Sequence, residues 1–188
     1  MPSLVTLAAT ECCVQESWVN DAIRQGASRV KLLKIKKSGS DGFRIISRPS
    51  AELEILQRWL TIRFFHEMEV HESAMAFRRG RSILTNAQFH AESLYFIRVD
   101  FSNFFPSIRY LDLDFALRKS IHTQKLLREY SDASDFIKRI CFDAKLRLPI
   151  GYISSPAISN AVMFQFDVEL EKLVKTNDSA LGHGKVTR

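Results

Sequence analysis

Residues 96–108 read Phe96-Ile97-Arg98-Val99-Asp100-Phe101-Ser102-Asn103-Phe104-Phe105-Pro106-Ser107-Ile108. The run is rich in aromatic and β-branched side chains, which predicts a buried β-strand over Tyr95–Phe101. Pro106 lacks a backbone donor and predicts the end of this extended run. Asp100 lies at the end of the strand, where burying a carboxylate is costly unless it binds something. A divalent metal is one such partner, since Mg²⁺ prefers carboxylates, water and phosphates, and a cap or turn is the alternative.

A second stretch with a distinctive spacing reads Leu148-Pro149-Ile150-Gly151-Tyr152-Ile153-Ser154-Ser155-Pro156-Ala157-Ile158-Ser159-Asn160. It predicts a loop over Pro149–Ser155 and then a helix, because Ser155 suits an N-cap and Pro156 suits the first helical position. The predicted helix runs to about Lys175 and carries one apolar stripe. The stripe consists of Ile158, Val162, Phe166, Leu170 and Leu173 or Val174.

The remaining segments predict a mixed helix and hairpin organisation. A helix is predicted over 11–29, ended by Gly26, and a second opens at Pro49-Ser50. Between them, Val30–Ile35 and Phe43–Ser47 predict a β-hairpin around a Ser38–Gly42 turn. Further helices are predicted over Ile83–His90 and across most of 111–146.

Composition indicates the broad class of protein but does not identify a function. The 188 residues carry a formal net charge of +6, which favours a polyanionic partner but is weak support alone. No apolar run approaches the roughly 20 residues of a membrane helix, and no signal peptide is evident, so a soluble cytoplasmic protein is expected. Three cysteines, two of them adjacent, do not form a disulfide framework.

The first stretch resembles motif A of the reverse transcriptases of bacterial retrons and group II introns. By this resemblance Asp100 is the catalytic metal ligand, and the backbone carbonyl of Phe101 contacts the same Mg²⁺. Phe105 stands at the family's steric gate, which lies beneath the incoming sugar and leaves no room for a 2′-hydroxyl. Core packing of Phe104 and Phe105 is the alternative interpretation.

The second stretch is similar to motif B of the same family, in which a glycine turn approaches the nascent base pair. Gly151 would supply that approach, and Ile150 stands where many relatives have a glutamine that contacts the nucleotide. The helix that follows lies under the template in the family. Its candidate nucleic-acid-binding residues are Ser155, Ser159 and Asn160.

Two basic segments complete the resemblance. The hairpin resembles the family's fingers hairpin, with Arg44, assisted by Lys36 or Lys37, as the residues that grip the triphosphate. The stretch 74–90 resembles a block of retron-type enzymes, although Ala76 replaces the usual glycine. Its arginines suit phosphate contacts, and a solvated basic loop is the alternative. They are Arg78, Arg79 and Arg81.

The resemblance implies an α+β right-hand polymerase fold without a thumb: fingers over 1–93 and 116–147, and a partial palm over 94–115 and 148–188. It implies an RNA-directed DNA polymerase of retron type that uses Mg²⁺, dNTP, an RNA template and an RNA–DNA duplex. A structured non-coding RNA, an effector protein and a role in antiphage defence are expected on the same ground, and a membrane is not.

One part of the family pattern is missing from the sequence. The enzymes hold two metals with the motif A aspartate and an Asp-Asp pair in a Tyr-x-Asp-Asp hairpin, but this sequence has no adjacent aspartates. Asp112 and Asp114 predict a helix start instead. We therefore expect the chain to stop before that hairpin and to be inactive alone. A non-catalytic module that binds RNA or an RNA–DNA duplex, or a remnant with exposed apolar palm surface, are the alternatives.

Overall fold

The computed structural model describes residues 2–37, 41–93, 96–176 and 185–188. Helices account for most of these residues, and the only sheet within the described ranges is one antiparallel hairpin. The strands are β1 (Lys31–Lys36) and β2 (Phe43–Arg48). The helices are α1 (Leu4–Glu11), α2 (Glu16–Gln25), α3 (Ala51–Arg63), α4 (Ile83–His90), α5 (Phe104–Ser107), α6 (Tyr110–Lys119), α7 (Gln124–Glu129), α8 (Ala133–Cys141), α9 (Ser155–Val162) and α10 (Phe164–Thr176).

The predicted hairpin is confirmed, with each strand within about one residue of its expected bounds. Its register pairs Lys31 with Arg48 at one end and Lys36 with Phe43 at the other. Part of the predicted turn, residues 38–40, lies outside the described residues. Both strands are largely exposed, so the hairpin projects basic side chains into solvent.

Helix α3 begins where the sequence predicted, because the Ser50 hydroxyl accepts a hydrogen bond from the backbone N–H of Leu53. Leu53, Leu56 and Leu60 are fully or almost fully buried. They belong to one apolar cluster that also takes in Leu4 of α1, helix α8 and Ile158 of α9. Since burial of apolar surface is the main stabilising force, this cluster holds the helical layers together.

The helix predicted over 11–29 is wrong as a single element. Cys13 has a left-handed backbone with φ of 55°, and the N–H of Val14 bonds to the carbonyl of Ala9 at 2.9 Å. A hydrogen bond to the carbonyl five positions earlier, next to a left-handed residue, is the Schellman motif that ends helices. Helix α1 therefore ends here, and α2 begins separately at Glu16. Gly26 does end α2. Glycine is required at position 26 because a Cβ there would lie 2.9 Å from the carbonyl oxygen of Arg139.

The strand predicted over Tyr95–Phe101 is absent from residues 96–101, and Tyr95 lies outside the described residues. A strand needs a neighbouring strand to pair with and a surface to cover its apolar face. The described chain offers neither to this segment, and Ile97 is 93% exposed. Pro106 lies inside the short helix α5 rather than at the end of a strand.

The motif B helix is confirmed in place but differs in detail. Ser155 is its first helical residue and Ser154 precedes it, one position earlier than predicted. The predicted long helix is divided at Met163, whose N–H points at the carbonyls of both Ser159 and Ala161 and tightens the turn. Beyond that point the predicted stripe is not buried, because Phe166 and Leu173 are exposed.

Asp112 starts a helix, as predicted, by accepting a hydrogen bond from the backbone N–H of Arg109 at 2.7 Å. The described residues include no helix with the length and apolar character of a membrane span. The buried cluster crosses the expected border between fingers and palm, since Leu113, Leu148 and Ile158 share it with Leu4. The domain division therefore stays a prediction.

Candidate active site

The fingers hairpin lies directly against the motif B turn. The backbone N–H of Ser47 in β2 donates to the carbonyl of Ile150 at 2.7 Å. The two residues are far apart in sequence, so this bond is a tertiary contact that fixes the hairpin on the turn. It brings the segment that carries Lys36, Lys37 and Arg44 to the segment that carries Gly151.

Gly151 has a positive φ of 104°, a conformation that favours glycine. A Cβ at this position would lie 2.5 Å from the carbonyl oxygen of Ser47 and 2.6 Å from the Cγ2 of Ile46. The close approach at this glycine is therefore made by the fingers hairpin. An approach to a nascent base pair stays a prediction.

The basic side chains of the hairpin are available to a ligand. Arg44, Lys36 and Lys37 are all exposed. Lys36 makes one long ion pair, 3.8 Å from its Nζ to the Oδ1 of Asp41, and both groups face solvent. Exposed pairs of this kind contribute little to stability, so an incoming polyphosphate could replace this one at small cost.

Three motif B residues predicted to bind nucleic acid are buried in this structure. The Ser155 hydroxyl donates to the Pro149 carbonyl at 2.7 Å, and the Ser159 hydroxyl donates to the Pro156 carbonyl at 2.9 Å. Asn160 is also buried. These side chains support the fold in this structure, and their role in nucleic-acid binding stays a prediction.

Asn160 joins the motif B helix to the basic loop. Its Nδ2 donates to the Ala76 carbonyl at 2.9 Å, and its Oδ1 accepts from Nη1 of Arg188 at 3.3 Å. The guanidinium of Arg188 also grips the fully buried carboxylate of Asp167 at 2.8–3.2 Å. Arg188 and the Ser73–Met75 segment exchange two backbone hydrogen bonds of 2.7 Å each. One amide and one ion pair thus hold the loop against α9 and α10.

The basic loop carries two arginines that converge on one carboxylate. Nη2 of Arg78 donates to Oε1 of Glu72 at 3.1 Å, and Nη2 of Arg81 donates to Oε2 of the same side chain. The hydrogen bond from Arg78 is the largest cause that lowers the pKa of Glu72 below its ordinary value, followed by the charge of Arg78. Arg79 is exposed and forms no ion pair with any residue in the described ranges.

A series of aromatic contacts joins the basic loop to motif A. The ring of Phe77, which has φ of 57°, lies edge-on to Phe105 with 6.4 Å between centroids. Phe105 packs on Phe104 at 5.3 Å, and Phe104 packs on Phe101 at 5.7 Å. Both Phe104 and Phe105 are half-buried against the core. The candidate gate residue therefore has one packed side and one open side.

Asp100 is exposed and makes no hydrogen bond or ion pair with any residue that the structure describes. Across the same residues, no group of three or more acidic, histidine or cysteine side chains could hold a metal ion. A single open carboxylate beside a backbone carbonyl supplies too few ligands for the family's two Mg²⁺ ions. The residues described here do not fit that metal site.

Sequence reasoning missed the residues that join the blocks. Glu72, Phe77 and Arg188 were not singled out, although each contacts a predicted site residue, and Asp167, which pairs with Arg188, was also missed. The one available signal was the pair of acid and base in Glu72 and Arg78, six positions apart. The contact between Asp167 and Arg188 depends on the path of the chain between them and has no local signature.

Comparison with known proteins gives a consistent result. A family model described as reverse transcriptase (RNA-dependent DNA polymerase) matches residues 35–180. Retron Ec73 reverse transcriptase of Escherichia coli is 32% identical over 178 residues, which cover 93% of this chain and 56% of that protein. Retron Ec83 reverse transcriptase of Escherichia coli is 33% identical over 159 residues, covering 80% of this chain and 49% of that protein.

A third relative comes from a different organism. Retron Mx162 reverse transcriptase of Myxococcus xanthus is 35% identical over 150 residues, which cover 74% of this chain and 30% of that protein. The chain thus spans about half the length, or less, of the curated relatives that it matches.

Proposed function

This chain belongs to the reverse transcriptase (RNA-dependent DNA polymerase) family, and from that premise we propose that it forms the nucleotide- and template-holding frame of a retron-type enzyme. The whole enzyme would extend a 3′-hydroxyl with dNTP on an RNA template. In this proposal the fingers are 1–93 and 116–147, and the partial palm is 94–115 and 148–188.

The observation that carries the proposal is a set of three contacts between the four motif blocks. Ser47 joins the hairpin to the motif B turn, and Asn160 joins the motif B helix to the basic loop. Phe77 then joins the basic loop to Phe105 of motif A. Contacts that span more than half of the chain therefore join the four blocks into one frame, and in this proposal the frame surrounds the nucleotide.

Within this frame each side chain has a proposed task. Arg44, with Lys36 or Lys37, holds the triphosphate by charge and hydrogen bonding, since guanidinium groups match phosphate oxygens. Phe105 excludes a 2′-hydroxyl by overlap, because contacts with the rings of Phe104 and Phe77 hold its own ring in position. Mg²⁺ would supply charge stabilisation in the complete enzyme, and no step is assigned to it in this chain.

We propose that the isolated chain does not polymerise. Asp100 is the one candidate carboxylate ligand that the resemblance assigns, no metal-holding group occurs among the described residues, and one carboxylate cannot position two cations. A non-catalytic module that holds RNA or an RNA–DNA duplex is the second candidate function, and the open position of Asp100 is the observation that favours it. A structured RNA, an effector protein and antiphage defence follow from the resemblance to retron enzymes alone.

Nucleic-acid binding can be tested with the full chain and a fluorescent RNA–DNA duplex by anisotropy at several salt concentrations. We expect Arg79→Gln to weaken binding roughly threefold to tenfold and to reduce the salt slope by about one, because one phosphate contact is lost. Arg24→Gln is the matched control, since Arg24 is exposed and, among the described residues, forms an ion pair with Asp21 of α2 alone. The proposal fails if the chain does not bind the duplex or if the two variants behave alike.

A further inference from the structure

We infer that Glu72 occupies a preformed phosphate site between Arg78 and Arg81, as an internal anion that an incoming phosphate group displaces. The inference rests on the proposed function and deepens it. Two guanidinium groups already converge on one pair of oxygens, since Arg78 donates to Oε1 and Arg81 donates to Oε2 of the same carboxylate. Arginine makes charge-assisted hydrogen bonds to carboxylate and phosphate oxygens alike, so a phosphate group suits the same pair of donors.

The guanidinium of Arg78 is held by backbone carbonyls as well as by Glu72. Nη1 of Arg78 donates to the carbonyls of His71 at 3.0 Å and Ala74 at 3.4 Å, and the Arg78 side chain is only 24% exposed. The N–H of Arg81 bonds to the carbonyl of Arg78 at 3.3 Å and closes a turn. Removing the carboxylate would therefore leave the Arg78 guanidinium in place, with both N–H donors of its Nη2 free.

The loop also leaves room for a ligand. Gly80 lies in the turn between the two arginines with φ of 77°, and a Cβ built on it would meet no atom within 4 Å. Just after the turn, a reciprocal cap between Ser82 and Thr85 fixes the first residues of α4. The turn at Gly80 is thus open to solvent and is anchored by the capped start of α4, which suits the close approach of a sugar-phosphate backbone.

The Glu72 carboxylate can be displaced from the two arginines at small cost. Its side chain is 73% exposed, and both of its ion pairs lie at the surface, where such pairs contribute little free energy. The guanidinium fork matches phosphate oxygens as well as carboxylate oxygens, so a phosphate group can take over the contacts of Glu72. The carboxylate keeps two arginines aligned while no phosphate is bound, and it opposes weak or singly charged anions.

The phosphate could come from a nucleic-acid backbone or from the triphosphate of a nucleotide. Both offer the same oxygens, so the test includes a separate probe for each source. The first probe is single-stranded RNA of about twelve nucleotides, a length that spans one binding groove. The second is dATP, and inorganic phosphate serves as the minimal ligand.

The experiment compares Glu72→Gln with Glu69→Gln in the full chain. Glu69 is exposed, lies in the same segment and forms no ion pair with a described residue, so its variant makes the same change in net charge. We expect Glu72→Gln to bind the preferred probe roughly threefold to tenfold more tightly than Glu69→Gln, since two surface ion pairs no longer compete. Adding Arg78→Gln to Glu72→Gln should remove that gain.

Arginine side-chain NMR signals provide a readout that does not depend on nucleic acid. In Glu72→Gln, inorganic phosphate should shift the Nε–H signals of Arg78 and Arg81, and in the unmodified chain it should shift them only at much higher concentration. Glu72→Ala repeats the measurement with a shorter side chain. Loss of folded structure in both Glu72 variants would show that Glu72 is a structural lock and would overturn the inference.

The remaining outcomes separate the inference from the proposed function. Equal affinities of Glu72→Gln and Glu69→Gln for every probe, with the unmodified chain still binding RNA, would overturn the phosphate site alone. Phosphate-dependent shifts of both arginines without any binding of RNA or dATP would support the site and contradict the proposed function. A gain confined to dATP would assign the site to the nucleotide rather than to the template.

Discussion

Helix α8 and the segment 96–101 are both rich in apolar residues, yet they have opposite environments. Ile137 and Ile140 of α8 are fully buried, whereas Ile97 is 93% exposed and Val99 is 77% exposed. Helix α8 packs against α2 and α3, whereas no helix or strand of the described residues covers the side chains of Ile97 and Val99. Apolar composition predicts which residues can be buried, but a complementary surface decides whether they are.

The residues of the candidate site are likewise divided between a packed region and the exposed segment 96–101. Gly151, Asn160 and the hairpin rest on the packed side, where backbone and side-chain contacts fix their positions. Asp100 belongs to the uncovered segment and contacts nothing that would orient its carboxylate. We therefore expect mutations on the packed side to alter folding, and mutations near Asp100 to alter chemistry only when that segment is covered.

The largest expected effect compares an isoleucine from each region. Ile140→Ala should lower the free energy of unfolding by about 2–5 kcal/mol, because it removes buried methyl groups and leaves a cavity. Ile97→Ala should change it by no more than about 0.5 kcal/mol, because the side chain is already in water. Urea unfolding followed by circular dichroism measures both. Equal costs would mean that 96–101 is packed in solution.

A smaller effect is expected from two glycines with positive φ. Gly151→Ala should cost about 3 kcal/mol, since the new Cβ meets the Ser47 carbonyl at 2.5 Å in addition to the backbone strain. Gly80→Ala should cost about 1 kcal/mol, because its φ of 77° is strained while the space around it is open. The same unfolding assay checks the pair. If Gly80→Ala costs as much as Gly151→Ala, the tight contact between the hairpin and the motif B turn is contradicted.

The smallest effect concerns a carboxylate that caps a helix of the packed region. Burial raises the pKa of Asp132, but hydrogen bonds from the Leu4 N–H, the Ser3 hydroxyl and the Val5 N–H outweigh it, so the pKa lies below its ordinary 3.8. Asp132→Asn should cost about 1 kcal/mol at neutral pH, since α1 loses a charged partner at its N-terminus.

The pH dependence of this cost has a definite sign. A lowered carboxyl pKa contributes stability that is present above 3.8 and is lost as the pH falls through the lower folded value. The unfolding difference between the unmodified chain and Asp132→Asn should therefore shrink below about pH 4. Asp135→Asn is the control, because Asp135 is exposed and its one ion pair within the described ranges is with Arg139. A constant difference down to pH 2 would contradict the ionic role of Asp132.

Local sequence signals were sufficient for the hairpin, for the Ser50 cap of α3 and for the bounds of α4. They failed at Cys13, where a left-handed backbone occurs without a glycine or asparagine to announce it. They also failed at 96–101, where strand propensity was present but a pairing strand was not. The intrinsic preference of residues for helix or strand is decisive only where neighbouring residues in the sequence supply all the hydrogen bonds that the helix or hairpin needs.

In the candidate site, too, local features could be predicted from the sequence and long-range contacts could not. The residue types in each motif could be recognised from sequence, because each motif is a short contiguous block. The hydrogen bond from Asn160 to Ala76 and the ion pair between Arg188 and Asp167 could not, since they depend on how distant segments pack. The burial of Ser155 and Ser159 could not be predicted either, because serine is mostly exposed in folded proteins.

Primer extension with the purified 188-residue chain, an RNA template, a DNA primer, dNTP and Mg²⁺ tests the central claim most directly. The account predicts that the chain binds the primed template but incorporates no nucleotide, and that Asp100→Ala behaves identically. Incorporation that Asp100→Ala abolishes would contradict it, because the described residues would then have assembled a metal site that their geometry does not provide.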